Sequence, residues 1–223
     1  MKRVLEPELL DAMAPDDPAA MASRRDLVRI NWVMGQQRIL AGALRNFPRP
    51  RRMLDLGGGD GRFLLGLARR LGWRDVMAVI VDCQDILEDG TRRAFAALGW
   101  RCEVRQADVL DALGDLDRGD ILVANLFLHH LGDASLRTLF AAAARAGGLA
   151  ACEPRRNGMA LAASRMVFAL GCNAVTRHDA VASVRAGFKG RDLSLLWPNE
   201  SGWRLREQYA APFSHLYTAR HDV

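Results

Sequence analysis

The sequence predicts an α/β protein whose helices cover both faces of a mostly parallel sheet, with a helical appendage at the N-terminus. Three observations predict this fold class. A strand runs directly into a glycine-rich turn and a helix at 53–62, strands and helices then alternate, and two strand-like segments lie near the end. With 223 residues, the chain is long enough for one such domain and a short appendage, but not for two full domains.

The N-terminal part of the chain is helical in pattern. Apolar side chains recur at helical spacing between residues 23 and 46, and Pro48 and Pro50 end the pattern. We therefore expect 1–48 to form a helical appendage that serves as a substrate lid, and 49–223 to form the main domain.

The alternation after this appendage predicts five parallel strands. They are expected at 52–56, 76–81, 101–107, 121–124 and 149–153. The intervening helices are expected at 62–71, 85–98 and about 135–146. Continuous apolar runs are typical of strands that are buried on both faces, and ligands of such sheets bind at the carboxyl ends of the strands.

The end of the chain has a different pattern. Strand-like segments at 203–209 and 215–219 are joined by five residues, which are too few for a crossover helix, so the two strands are expected to pair antiparallel. The apolar run 159–172 is interrupted by Ser164 and Arg165. This run is therefore typical of a buried or lid helix rather than a membrane span.

The composition of the chain limits the binding partners and the cellular location to be expected. The net charge is +5, but the arginines are dispersed and no aromatic residues lie among them, which argues against a nucleic-acid partner. The four cysteines are far apart, so we expect reduced thiols and no metal site. Residues 1–7 contain no apolar signal segment, and we expect a cytoplasmic protein without a membrane span. The sequence leaves a homodimer open.

The turn after the first strand is the most informative motif. Asp55 ends the strand, and glycines at 57, 58, 59 and 61 lead into a helix. Glycines permit positive φ and the close approach of a ligand, and a helix start offers free N–H donors. The dinucleotide pattern G-x-G-x-x-G fails, because Arg62 stands where its third glycine would be.

The pattern Asp-x-Gly-x-Gly-x-Gly from Asp55 to Gly61 resembles motif I of the class I S-adenosylmethionine-dependent methyltransferases of the small-molecule type. The segment 120–133, with its His-His pair, and the segment 147–154 resemble later motifs of that family, and the resemblance covers most of 50–220. It implies a Rossmann-like seven-stranded sheet with strand order 3-2-1-4-5-7-6 and an antiparallel last strand. It also implies S-adenosylmethionine as the cofactor.

The resemblance assigns roles to acids at the strand ends. Asp82 stands where the family holds the ribose hydroxyls, and Asp108 stands where an acid accepts from the adenine amino group. Turn formation is the alternative for both, and helix capping is the alternative for Asp55. The expected cofactor-binding residues are Asp55, Gly57, Gly58, Gly59, Gly61, Asp82, Cys83, Asp108, Val109 and Asn125.

Methyl transfer is an in-line displacement, and a base is needed when the acceptor must lose a proton. The candidate catalytic bases are His129, His130, His215 and His178. A structural or cofactor-contacting role is the alternative for the His-His pair. For His178, the alternative is that the following Asp179 is a helix N-cap.

The acceptor is expected to be a small aromatic or apolar molecule, methylated at oxygen, in keeping with a resemblance to bacterial enzymes of secondary metabolism. The expected substrate-binding residues are Trp32, Met34, Met159, Met166 and Arg177, with core packing as the alternative for the apolar ones.

Two other functions remain open. One is an RNA-directed methyltransferase. The base-methylating motif Asn/Asp-Pro-Pro-aromatic is replaced by Asn-Leu-Phe-Leu at 125–128, so amino methylation of bases is not expected. The other is a scaffold that binds S-adenosylmethionine without turnover and regulates a partner.

Overall fold

Seven strands form one mixed sheet in a computed structural model that describes residues 1–199 and 201–221. The strand order is β3-β2-β1-β4-β5-β7-β6, and β7 runs antiparallel to both of its neighbours. The order that the resemblance implies is therefore confirmed. The strands are β1 (Arg52–Leu56), β2 (Met77–Asp82), β3 (Arg101–Gln106), β4 (Asp120–Asn125), β5 (Gly148–Pro154), β6 (Trp203–Ala210) and β7 (Ser214–His221).

Helices pack on both faces of the sheet and bury two apolar cores. Leu54 and Leu56 of β1 belong to the core on one face, and Met53 belongs to the core on the other. This alternation explains why the strand is continuously apolar. The helices are α1 (Pro18–Met34), α2 (Gln36–Leu44), α3 (Arg62–Leu71), α4 (Asp89–Ala97), α5 (Asp133–Ala143), α6 (Gly158–Ser164) and α7 (Ala174–Ala186).

The N-terminal helical pattern forms two helices instead of one. Gly35 adopts φ +64° between them, a conformation that ends α1 and redirects the chain. α1 begins at Pro18, where the Asp17 side chain accepts from two backbone N–H groups. α2 places Leu40 and Leu44 in a core of the sheet. The appendage is therefore packed against the main domain.

The helix predicted at 85–98 begins four residues later than expected. The Asp82 side chain accepts from the Gln84 backbone N–H at 2.9 Å, and the Asp85 side chain accepts from that of Leu87 at 3.3 Å. These local bonds favour turns over helix, so α4 begins at Asp89.

The apolar run 159–172 does not form one helix. α6 ends at Ser164, and a short 3-10 turn follows at Val167–Leu170. α7 then begins after Asn173, whose side chain caps it. Among the residues that the structure describes, no helix is long and apolar enough to cross a membrane.

Elements outside the sheet cover the carboxyl ends of its strands. The Arg24 side chain of α1 donates to that of Gln84, just after β2, at 3.2 Å, and Asn125 at the end of β4 donates to Asn31 of α1 at 3.0 Å. Asp26 of α1 also accepts from the Asn173 backbone at 2.8 Å. α1 therefore bridges the strand ends and α7.

Candidate active site

The glycine turn has one open position. A Cβ at Gly57 would collide with the ring of Phe127, and a Cβ at Gly61 would lie 2.8 Å from Leu87. Gly58 is similarly enclosed by Asp55 and Ile80, whereas a Cβ at Gly59, at φ +53°, would meet no atom within 4 Å. Gly57, Gly58 and Gly61 are thus required for packing, and Gly59 alone of the four faces open space.

Asp82 links this turn to the end of β2. One carboxylate oxygen accepts from the Gly59 backbone N–H and the other from that of Gln84, each at 2.9 Å. A carboxylate has about four lone-pair positions, so two acceptor positions remain for a ligand. Asp108, just beyond the neighbouring β3, is exposed and accepts from the Leu110 N–H at 2.8 Å in a local turn.

The two other predicted cofactor residues in this region differ in exposure. Cys83 is exposed, its thiol lies 3.9 Å from the carbonyl of Ala107, and desolvation followed by nearby acidic charge raises its pKa. Val109 is buried in a core of the sheet. Its side chain is therefore committed to packing, and any ligand contact would come from its backbone.

Two buried side-chain oxygens at neighbouring strand ends have no hydrogen-bond partner. They are Oδ2 of Asp55 on β1 and Oδ1 of Asn125 on β4. An unsatisfied buried acceptor costs about 1–3 kcal/mol. An ammonium group bound beside them would supply the missing donors, so this edge of the sheet fits a ligand that carries one.

Burial raises the pKa of Asp55 to about 8, and the charges of Asp82 and Asp60 contribute in the same direction. Between the ordinary value of 3.8 and about 8, the folded chain therefore binds more protons at Asp55 than the unfolded chain does. Folding stability consequently falls as pH rises through this window.

We predict that Asp55→Asn removes this loss of stability. The parent should lose up to about 1.4 kcal/mol of unfolding free energy per pH unit through Asp55, and the variant should not. Urea unfolding near both ends of the window measures the difference. Asp85→Asn, at an exposed position, is the matched control and should retain the parental profile. Equal slopes in Asp55→Asn and the parent would contradict the prediction.

An apolar cavity of about 170 Å³ lies beside these strand ends. Leu126 and Pro154 line it where β4 and β5 end, Ile30 lines it from α1, and Ala163 lines it from α6. Phe213, between β6 and β7, also contributes. Leu126 directly follows Asn125, so the cavity begins at the same end of β4 that carries this residue.

A buried carboxylate organises the turn at Leu128–His130. One oxygen of Glu153 accepts from the backbone N–H groups of Phe127 at 3.1 Å and Leu128 at 2.9 Å. The other lies 2.8 Å from Nδ1 of His129, whose Nε2 lies 3.2 Å from Oε1 of Glu8. Glu8 also lines the cavity. The N-terminal segment thus brings a carboxylate to the cavity wall.

The two carboxylates hold His129 in place. Burial alone lowers the pKa of His129, but hydrogen bonds and charge from Glu153 and Glu8 outweigh burial and raise it to about 9. The same contacts lower the pKa of Glu8 despite its burial. His129 therefore bridges two acids at neutral pH, in the manner of a buried ion pair.

Comparison with known sequence families finds one match within the chain. Residues 53–147 match a sequence family described as a methyltransferase domain. This range contains the glycine turn, Asp82, Asp108 and the Leu128–His130 turn. The matched range is 95 of the chain's 223 residues. Among curated proteins, none matches the chain.

Solved structures of methyltransferases share the fold of the whole chain. An O-methyltransferase family protein from Burkholderia thailandensis has a TM-score of 0.61 at 17% identity, over 92% of this chain and 61% of the other. The plantazolicin methyltransferase BpumL, in complex with SAH, has a TM-score of 0.68 at 10% identity, over 93% and 92%. The mitomycin 7-O-methyltransferase MmcR has a TM-score of 0.58 at 14% identity, over 95% and 60%.

These solved structures differ in how much of their own length this chain covers. The chain spans about three fifths of the first and third, and nearly all of BpumL. The predicted class I methyltransferase fold is confirmed.

The four histidines proposed as bases occupy different surroundings. His130 is half-buried, with Nδ1 3.1 Å from Asp11 and Nε2 3.9 Å from Glu8. His215 is 1% exposed, its Nε2 lies 2.7 Å from Glu207, and it does not line the cavity. Neither His129 nor His130 lines the cavity itself, but both contact Glu8, which does.

His178 lies on α7 and is half-exposed, with Nδ1 2.9 Å from Asp179. Asp179 is not the N-cap of α7, which is Asn173. Its carboxylate accepts instead from the backbone N–H groups of Leu9 and Leu10, at 2.8 and 3.1 Å. Asp179 therefore anchors the N-terminal segment on which Glu8 lies.

Some of the predicted substrate residues lie at the cavity and others do not. Met34 and Met166 line the cavity, whereas Trp32, Met159 and Arg177 do not. Trp32 is 81% exposed and Met159 is 64% exposed. Hydrophobic character alone does not distinguish the cavity face of a helix from its outer face.

Several contributors to this site were not predicted from the sequence, among them Glu8, Glu153 and Phe213. Glu8 lies 121 residues before His129, so no local motif connects them. Glu153 appears only as the end of a strand, and Phe213 as part of a short connection. A signal for Glu153 exists, because an acid within a fully buried strand needs partners.

Proposed function

We propose that the protein transfers a methyl group from S-adenosylmethionine to an oxygen of a small, aromatic or apolar acceptor. The observation that carries the proposal is the position of the apolar cavity, which begins at Leu126 and Pro154, next to the strand ends that carry Asp55 and Asn125. An apolar cavity with a few polar groups is typical of small-molecule sites.

The residues at the strand ends fit the proposed cofactor. Asp82 has acceptor positions for two ribose hydroxyls, and Gly59 leaves room for a ligand against the turn. The partnerless oxygens of Asp55 and Asn125 fit the ammonium of a methionine group. When bound, S-adenosylmethionine supplies a methyl group activated on a sulfonium.

The chain contributes mainly orientation to this reaction. Holding the two reactants in line makes the reaction effectively unimolecular. This orientation lowers the activation barrier by up to roughly 7–11 kcal/mol. Ile30 of α1 and Ala163 of α6 line the cavity in which the acceptor is held. Glu8, paired with His129 and Ser183, marks the polar part of the wall where an acceptor oxygen binds.

We predict that Ala163→Phe impairs acceptor use and spares cofactor binding. The new ring would occupy much of the 170 Å³ cavity, so the KM for acceptor should rise by at least about tenfold, the effect of roughly 1.4 kcal/mol. Ala162→Phe, on the exposed side of α6, is the matched control. The measurements are acceptor kinetics and calorimetry with S-adenosylhomocysteine. If both variants keep the parental KM, the cavity is not the acceptor site.

A release assay tests the function itself. The full chain is incubated with S-adenosylmethionine and panels of phenols, carboxylic acids and amines, and S-adenosylhomocysteine is measured. Release with an apolar phenol or carboxylic acid is the expected result. Cofactor binding without release across the panels would favour a scaffold, and release only with tRNA or rRNA would favour an RNA-directed enzyme.

A further inference from the structure

We propose that Glu8, His129 and His130 bind one zinc ion at the wall of the cavity. Their ligand atoms all lie within 4.8 Å of one another. Two imidazoles and one carboxylate form a ligand set that zinc accepts in sites with an open position. The cysteine spacing of the sequence contains no indication of this site, because it uses none of the cysteines.

The distances suit ligands of a single ion. Oε1 of Glu8 is 3.2 Å from Nε2 of His129, and Oε2 is 3.9 Å from Nε2 of His130. At zinc–ligand distances of about 2.0–2.1 Å, tetrahedral ligand atoms lie about 3.4 Å apart. The ligand atoms, which lie within 4.8 Å of one another, would move closer by up to about 1.4 Å around the ion.

Each histidine also has a carboxylate on its other ring nitrogen. Nδ1 of His129 is 2.8 Å from Glu153, and Nδ1 of His130 is 3.1 Å from Asp11. In metal sites such carboxylates orient the imidazole, fix its tautomer and leave the opposite nitrogen free to bind the ion. The cluster shows this arrangement at both histidines.

The charges favour a dication. The carboxylates of Glu8, Asp11 and Glu153 surround the two imidazoles, so acidic side chains outnumber the histidines in the cluster. Arg3 also reaches this segment, but its guanidinium donates to Asp133 and to the backbone carbonyls of His129 and Leu131. The charge of Arg3 is therefore paired with Asp133.

The site also indicates the class of acceptor, an inference that rests on the proposed function. Three protein ligands leave one zinc position open, and Glu8 belongs to the cavity wall. An acceptor hydroxyl bound there loses its proton to water more readily. Its oxygen then forms the bond to the methyl carbon while the sulfur–carbon bond breaks and sulfur keeps that electron pair. The expected acceptor is an apolar molecule with a zinc-binding hydroxyl.

Zinc titration of the chelator-treated full chain tests the site. Calorimetry with zinc chloride alone should show one ion per chain for the parent and for His221→Ala, the control at a histidine of β7 outside the cluster. Glu8→Gln and His130→Ala should each weaken zinc binding by at least about 100-fold. This exceeds the loss expected for a residue that contacts a metal ligand but not the metal itself. His130 is half-buried, so His130→Ala carries the test if Glu8→Gln does not fold.

Binding of S-adenosylhomocysteine to the same samples separates the two proposals. If the parent binds S-adenosylhomocysteine but no zinc, or if both variants bind zinc as the parent does, the zinc site is wrong and the proposed function stands. If the parent binds zinc but no S-adenosylhomocysteine, the proposed function fails and the zinc site stands.

Discussion

Asp82→Ala should weaken the binding of S-adenosylhomocysteine by about 100-fold or more. The substitution removes the acceptors proposed for two ribose hydroxyls, and hydrogen bonds to a charged group contribute about 1.5–3 kcal/mol each. It also removes the hydrogen bond that the Gly59 N–H donates to Asp82 at 2.9 Å, and so loosens the glycine turn. Calorimetry on the purified chain measures the effect.

Asp85→Ala is the control for this substitution. Asp85 follows β2 by three residues, is exposed, and accepts from the backbone of Leu87. The Asp85→Ala protein should bind S-adenosylhomocysteine with the affinity of the parent. If Asp82→Ala also binds with the parental affinity, Asp82 does not hold the ribose and the orientation proposed for the cofactor is wrong.

Glu153→Ala should destabilise the fold more than any other substitution proposed here. Glu153 is fully buried, and its carboxylate accepts from the Phe127 and Leu128 backbones and from the His129 ring. Its removal leaves these donors without an acceptor. His129 then keeps only one of its two carboxylate partners. Breaking a buried ion pair by removing one partner costs roughly 3–5 kcal/mol.

Urea unfolding of chelator-treated protein measures this loss. Glu103→Ala, on the exposed edge strand β3, is the control and should lie close to the parent. Glu153→Gln should be intermediate, because its amide oxygen still accepts from a backbone N–H. A Glu153→Ala protein as stable as the Glu103→Ala protein would show that the Leu128–His130 turn does not depend on this carboxylate.

Local patterns were sufficient to predict the sheet and the turn. Continuous apolar runs end at Asp55 and Asp82, and the glycine spacing between them specifies a ligand-binding turn. The strand order came from the family resemblance. The antiparallel pairing expected for the last two strands is also confirmed, because the connection between them is too short to cross from one parallel strand to another.

The acceptor side was predicted less completely, because contacts distant in sequence form it. Glu8 contacts His129 from an N-terminal segment that Asp179 anchors, and neither contact has a local signal. α1 carries apolar residues on two faces, so Met34 on the cavity and the exposed Trp32 appear alike in the sequence. Gly35 splits the helix because its positive φ is compatible with a turn, which periodicity does not reveal.

A crystal structure of the full chain with S-adenosylhomocysteine is the most direct test of the proposed methyl transfer. The account predicts ribose hydroxyls on Asp82, the ammonium group beside Asp55 and Asn125, and the sulfur facing the cavity wall at Leu126 and Pro154. A sulfur directed away from that cavity, or a ligand bound elsewhere on the chain, would contradict it.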